Sequence, residues 1–284
     1  MDAPRVAVTG ANGYIGGLVA QRYGEAGWDV IRMQRRPEKL PAGGVGRPFT
    51  LGQLVSPAAL AGIDLLVHCA YDFTVTTPRE IYRVNVGGTE RLLTAAAEAG
   101  VRRTLLVSSM SAYEGTGQVY GRAKLACEAL TAAVGGISVR LGLVYGEGRG
   151  GMAGALRRLV SAPLVPLVGG RSHQFTVHEA DAADGLLAAG SADAPVEGPL
   201  GLAHPDPVPF KRLLQGIGRN AGVRPRLVPV PWKPVYAAMR CAERAHVRLP
   251  LRADSLLGLV RPAPAVPRFE YWRSLGVSVR AFDL

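Results

Sequence analysis

The chain has 284 residues, 48% apolar and 19% charged, enough to bury a substantial core as one large domain or a domain with an appendage. Its formal charge of +11 comes from 33 basic residues, of which only Lys39, Lys124, Lys211 and Lys233 are lysines. No basic run exceeds a doublet such as Arg35-Arg36 or Arg157-Arg158, and no aromatics interleave with them. This argues against a nucleic-acid partner and leaves attraction for phosphorylated small molecules.

From the N-terminus, Val6-Ala7-Val8 reads as a short buried parallel strand ending at Thr9-Gly10. Residues 14–26 follow at helical spacing and stop at Gly27. Val30 to Met33 predicts a second strand and Asp64 to Cys69 another. A long helix is expected over 79–99, closed by Gly100. Thr104 to Ser108 is a strand, 119–134 a helix closed by Gly135-Gly136, and Ile137 to Val144 a strand. Strands alternating with helices predict an α/β fold, a doubly wound parallel sheet of the Rossmann type. After Gly146 the alternation weakens, with short helices at 182–190 and 210–221 and Pro-punctuated chain from Pro225 to Pro267. The expected division is therefore a dinucleotide-binding core over 1–146 and a mainly substrate-binding subdomain over 147–284, with some late segments returning to the core.

Cys69, Cys127 and Cys241 form neither a CxxC motif nor a disulfide framework, which suits a reducing compartment. His173 and His178 lack a third metal ligand nearby, so no metal site is expected. The first strand begins by Val6, leaving no room for a signal peptide, and no apolar run approaches the ~20 residues of a membrane span. A soluble, cytoplasmic protein is the expectation.

The turn Thr9-Gly10-Ala11-Asn12-Gly13-Tyr14-Ile15-Gly16 lies where a first strand passes into a first helix. There glycine backbones can approach a pyrophosphate and helix N-terminal amides can point at it. At the end of the second strand, Gln34 occupies the position of the acidic residue that would hold a ribose 2′-hydroxyl, and Arg35 and Arg36 follow. Guanidinium groups match a 2′-phosphate, so NADP(H) is favoured over NAD(H).

Tyr120 and Lys124 are one helical turn apart, shortly after Ser108 and Ser109 at a strand end. The ammonium charge favours the phenolate, and a serine hydroxyl can hold the substrate oxygen against the tyrosine. Such a cluster moves a proton while hydride is exchanged with a dinucleotide.

With these motifs, the chain resembles the extended short-chain dehydrogenase/reductases, the group known as the NAD-dependent epimerase/dehydratase family. The resemblance is carried by TGANGYIG at 9–16, DLLVHCA at 64–70, Asn85-Val86-x-Gly88-Thr89, VSSMSAYEG at 107–115, YGRAK at 120–124, RLGLVYG at 140–146 and VHEAD at 177–181. It implies Ser109 as the substrate-binding serine, with Ser111 as its backup, Tyr120 as acid/base, Lys124 as its partner, and Asn85 holding the lysine through ordered water. Gln53 and Leu54 would lie beside the adenine, Gln53 where the family commonly has Asp. Cys69, Ala70, Tyr71, Ser108 and Leu143 would line the rest of the cofactor site. Leu141 replaces a common proline. Met110 and Ser111 follow Ser109 where the dehydratases carry an acidic pair, which disfavours elimination. Asp72, Arg149 and Arg171 are candidate substrate contacts, while His68, His178 and Asp181 read as structural.

The expected function is an NADP(H)-dependent oxidoreductase interconverting a carbonyl and an alcohol on a small molecule, in sugar or secondary-metabolite biosynthesis. A nucleotide-sugar epimerase with tightly held NAD is the second reading and a non-catalytic cofactor sensor the third. Helices 79–99 and 119–134 could pair as the face of a homodimer.

Overall fold

A computed structural model describes residues 3–39, 44–148, 150–192, 198–247, 249 and 251–284. Its centre is a seven-stranded, wholly parallel sheet. Six strands come from the first half of the chain: β1 (Arg5–Thr9), β2 (Asp29–Gln34), β3 (Val45–Pro48), β4 (Leu65–His68), β5 (Arg103–Ser109) and β6 (Ile137–Leu141). The seventh, Leu200–Leu202, pairs with β6 and completes the spatial order seventh-β6-β5-β4-β1-β2-β3. The order reverses between β1 and β4, so their carboxyl ends diverge and leave a crevice there.

Side-chain alternation along β1 builds both faces of the sheet. Val6 and Val8 join Leu65, Val67, Leu105 and Val139 under helices α1 (Tyr14–Glu25) and α6 (Glu179–Ser191). Ala7 points the other way, into a cluster with Met33, Leu66, Leu92 and Ala96 beneath α3 (Gly87–Glu98). A separate core around Tyr145, Leu156, Leu167, Phe210 and Ile217 holds α5 (Gly151–Val160) and α7 (Phe210–Asn220).

Late segments return to the sheet layer. Beyond the seventh strand, Trp272 is fully buried in the main core and its indole donates to Gly201 O at 2.6 Å. Arg280 pairs with Asp181 at the start of α6, its Nε 2.9 Å from Oδ1. His178 caps that helix, its Nδ1 accepting from Ala180 N at 3.2 Å.

Three elements depart from the sequence expectation. The helix expected over 79–99 is α2 (Pro78–Ile81), a π-helical stretch over Tyr82–Val86, then α3. The strand expected from Ile137 to Val144 breaks at Gly142, where a side chain would come within 2.6 Å of Phe175 O. Leu143–Tyr145 then pairs with Thr176–His178 instead of continuing in the main sheet. The chain from Pro225 to Pro267 contains α8 (Trp232–Arg244), which buries no residue fully, and α9 (Ala253–Val260). Among the described residues no helix is long and apolar enough to cross a membrane, and no His/Cys/Asp/Glu group could hold a metal ion.

His68, buried at the end of β4, ties three elements together. Its Nδ1 lies 2.7 Å from Thr9 Oγ1 and its Nε2 3.0 Å from Thr89 Oγ1. Thr89 donates its own hydrogen to Asn85 O, so its oxygen must accept from His68 Nε2–H, which leaves Nδ1 as an acceptor. The neutral ring is thereby satisfied. Burial first, and then the charge of Lys124, hold its pKa near 3. Because the unfolded imidazole ordinarily binds a proton near 6.5, stability is present above that pH and is lost as pH falls from about 6.5 toward 3. Thermal unfolding followed from pH 7 to 4.5 should show this decline. His68→Gln should flatten the slope while costing about 1–3 kcal/mol at pH 7; an unchanged slope would assign the acid sensitivity elsewhere.

Candidate active site

The crevice opens into a cavity of about 880 Å3 along the carboxyl ends of β1, β2, β4 and β5. The Gly-rich turn shapes one end. Gly10 sits at φ +66°, and a Cβ there would lie 2.9 Å from Ala70 Cα; one on Gly16 would lie 2.2 Å from Gly10 O. Only glycine allows strand, turn and helix to approach this closely. Asn12, Gly13, Tyr14 and Ile15 line the same end. Tyr14 also donates to Glu179 Oε2 at 2.5 Å, and Glu179 Oε1 accepts from Glu147 N at 2.9 Å. Gly148 and Gly150 press on the Tyr14 ring, so this tyrosine holds both glycines over the first helix. Burial and the neighbouring carboxylate push the Tyr14 phenol well above its usual range.

At the end of β2, Gln34 is buried and its amide donates to Arg36 O at 2.8 Å. Arg35 lines the cavity, whereas Arg36 is exposed and lies outside the lining. Gln53 and Leu54 lie outside it too, Leu54 being 91% exposed. Phe49, Thr50 and Leu51 line that part of the wall, because the turn at Gly52 packs back against Val84 and Gly88. The sequence candidates Gln53 and Leu54 are therefore not brought into the cavity, and residues three positions earlier line it instead.

At the other end stand the proton-handling residues. Tyr120 opens helix α4 (Val119–Ala133), and the Ser109 hydroxyl at the end of β5 is near enough to favour its phenolate. Burial pushes the phenol up to about 12, a rise that Ser109 partly offsets. Lys124 follows one turn later, only 4% exposed, with Nζ 2.8 Å from Val107 O and 5.2 Å above the centre of the Tyr71 ring. Burial lowers its pKa, which nearby Cys127, Cys69 and Glu128 oppose. The Tyr71 ring meets Tyr120 edge-on at 5.0 Å.

The remaining sequence candidates divide clearly. Cys69, Ala70, Tyr71, Asp72, Ser111 and Leu143 line the cavity. Ser108 does as well, but its hydroxyl donates to Glu128, which is clamped by Arg140 at 2.6 Å. Asn85 is buried with its amide on the backbone of Asp72, accepting from Asp72 N at 2.7 Å, while the Lys124 ammonium rests on Val107 O. The Asp72 carboxylate is occupied with Thr74. Arg171 is exposed and off the cavity, and Arg149 lies outside the described residues.

Asp254 carried no sequence signal. The first residues of α4 have no side-chain cap of their own. Asp254 Oδ1 instead accepts from Val119 N at 2.8 Å, and Oδ2 from Tyr120 N at 3.0 Å. A carboxylate from α9 therefore satisfies two orphan amides and meets the positive end of α4. Gln118 reinforces the joint by donating to Asp254 O at 2.8 Å.

A doubly wound sheet with a Gly-rich first turn, and with Ser, Tyr and Lys gathered at its carboxyl edge, defines an NAD(P)-dependent oxidoreductase of the extended short-chain dehydrogenase/reductase group. The chain belongs to the NAD dependent epimerase/dehydratase family, which it matches over residues 6–198. It is similar to a ceramide reductase of Caulobacter vibrioides, 28% identical over 80% of this chain and 73% of the relative. It is also similar to a UDP-glucose 4-epimerase of Streptomyces lividans, 32% identical over 57% of each chain. Among solved structures, MoeE5 in complex with UDP-glucuronic acid and NAD shares the fold with a TM-score of 0.75, covering 99% of this chain and 95% of that one at 22% identity.

Removing the Asp254 carboxylate should loosen the start of α4. Asp254→Ala is expected to cost about 1–2 kcal/mol of stability, as for the loss of a helix cap, and Asp254→Asn, which keeps one acceptor, should cost less. Urea unfolding of the two variants checks the order; equal stability would remove the capping role.

Proposed function

We propose that the protein is a carbonyl reductase or alcohol dehydrogenase acting on a small molecule, with NADP(H) preferred. The observation that carries this reading is the gathering of Ser109, Tyr120 and the buried Lys124 in the same cavity that Gly10, Gly13 and Gly16 line at its other end. The glycine cradle, where a Cβ would strike backbone, suits a pyrophosphate. A bound nicotinamide dinucleotide supplies or takes the hydride.

The rest of the chemistry falls to this chain. Ser109 and Tyr120 hold the substrate oxygen between two hydroxyls. With its pKa raised to about 12, Tyr120 is a protonated phenol at neutral pH and is ready to donate to the oxygen as a carbonyl is reduced. Lys124 places a positive charge beneath the phenolate that results, lowering the cost of giving up the proton. Proton donation should therefore hold through neutral pH and fail as the phenol itself ionises, whereas alcohol oxidation should accelerate with rising pH.

Arg35 at the cavity, with no carboxylate at the end of β2, supports NADP(H). Similarity to a UDP-glucose 4-epimerase supports the second reading, a nucleotide-sugar epimerase. Tyr120→Phe should lower turnover by at least about 100-fold while leaving dinucleotide affinity nearly unchanged. Retained turnover would displace Tyr120 as the proton donor. For the cofactor, Arg35→Ser should weaken NADPH at least about tenfold and leave NADH little altered in fluorescence titrations. Equal affinity of the unmodified protein for both, or stoichiometric NAD that does not exchange, would favour the epimerase.

A further inference from the structure

Several polar side chains around the substrate end of the cavity are occupied in holding the chain from Leu251 to Ala263 in place. Gln174 donates to Gly258 O at 3.4 Å and Leu259 O at 3.0 Å. Gln118 donates to Asp254 O, and its Oε1 is sealed from solvent without a partner, against Gly258, where a Cβ would lie 2.9 Å from it. Both oxygens of Asp254 receive amides of α4. Arg252 forks onto Val75 O at 3.4 Å and Thr76 O at 3.3 Å, and Arg261 stacks over Trp232 with its Cζ 5.3 Å from the ring centre.

The surface that remains is apolar. Met110, Phe175 and Ala263 pack as one cluster with Tyr113 against it, and all four line the cavity. Phe73 completes the wall 5.8 Å from the Tyr120 ring and is 62% exposed. A sugar presents several hydroxyls and a diphosphate two charges, each needing a partner once desolvated. Among the described residues, the polar side-chain groups left near this end are the hydroxyls of Tyr71, Ser109, Ser111, Ser255 and Tyr120, Gln118 Oε1 and the outer N–H groups of Arg252 and Arg261, whereas the Phe73, Met110, Phe175 and Ala263 side chains offer none.

We infer that the substrate is an apolar ketone or its alcohol, with a hydrocarbon body on the Phe73–Met110–Phe175 wall and the reacting oxygen as its main polar anchor. This rests on the reading of the cavity as a hydride-transfer site. Recognition then comes from buried apolar area, and affinity should grow with chain length up to the reach of the wall.

The test is a homologous series from 2-hexanone to 2-decanone, run beside UDP-glucose. With NADPH and the unmodified protein, kcat/KM should rise by up to about fourfold per added methylene, the factor for a fully buried CH2. UDP-glucose should be neither reduced nor epimerised. In parallel, Tyr120→Phe loaded with NADPH should bind 2-decanone by calorimetry several-fold more tightly than 2-hexanone and should not bind UDP-glucose. Phe73→Gln, a change at an exposed position, should weaken 2-decanone several-fold with NADPH affinity intact. Binding of the long ketone without NADPH consumption would sustain the apolar pocket and overturn the reductase reading. A flat ketone series, absence of ketone binding, or tight binding of UDP-glucose would overturn the apolar-substrate assignment, and NADPH consumption alone would keep the reductase reading alive.

Discussion

One buried ammonium organises the Tyr120 end of the cavity. Lys124 is almost wholly removed from water, yet the chain gives it a carbonyl oxygen at 2.8 Å and an aromatic face at 5.2 Å rather than a carboxylate. A direct carboxylate partner would hold the charge more firmly and cancel the field that a neighbouring phenolate needs. The carbonyl dipole and the Tyr71 ring stabilise the cation while leaving that field unspent. The price is a lowered lysine pKa and neutral neighbours: His68 is kept uncharged, and burial holds the Cys69 and Cys127 thiols above their ordinary range.

Holding the lysine also fixes where the tyrosine must stand. Both sit on α4, whose register comes from packing on β5 and whose first turn is pinned by Asp254. That carboxylate belongs to α9, so the segment that walls the substrate end also terminates α4. Loss of α9 from its seat would expose the apolar wall and at the same time leave the amides of Val119 and Tyr120 unpaired. Substrate enclosure and placement of the proton donor thus share one joint, which Gln118 and the close approach at Gly258 make tight.

What could be read in the sequence was local. Gly10, Gly13 and Gly16 declare a turn by their spacing, and Tyr120 and Lys124 declare one face of a helix. The strands of the first half show as apolar runs because both sheet faces are covered. Features set by distant contacts were silent. The edge strand Val45–Pro48 has no buried residue and hence no hydrophobic pattern. The break at Gly142 depends on Phe175, and the π-helical stretch around Asn85 interrupts an otherwise continuous helical pattern. Asp254 lies 134 residues from the tyrosine whose amide it accepts, and no periodicity connects them. The position of Gln53 and Leu54 off the cavity is set by the turn at Gly52, which packs back against Val84 and Gly88 from distant sequence.

The apolar wall and the buried cation require the same condition, exclusion of water. A phenol near pKa 12 is a poor donor in water at neutral pH, because the phenolate must be stabilised at the moment the proton leaves. Where water is excluded, a positive charge on the same helix face as Tyr120 is worth more to that phenolate than in water. A hydrocarbon body seated against Phe73, Met110 and Phe175 would displace solvent from the space beside Tyr120 as it binds. A polar substrate would bring water or its own hydroxyls into that space and weaken the field on which the proton transfer depends. Under the proposed chemistry, substrate polarity and the electrostatics of proton transfer are linked through the space beside Tyr120, which the bound substrate would clear of water.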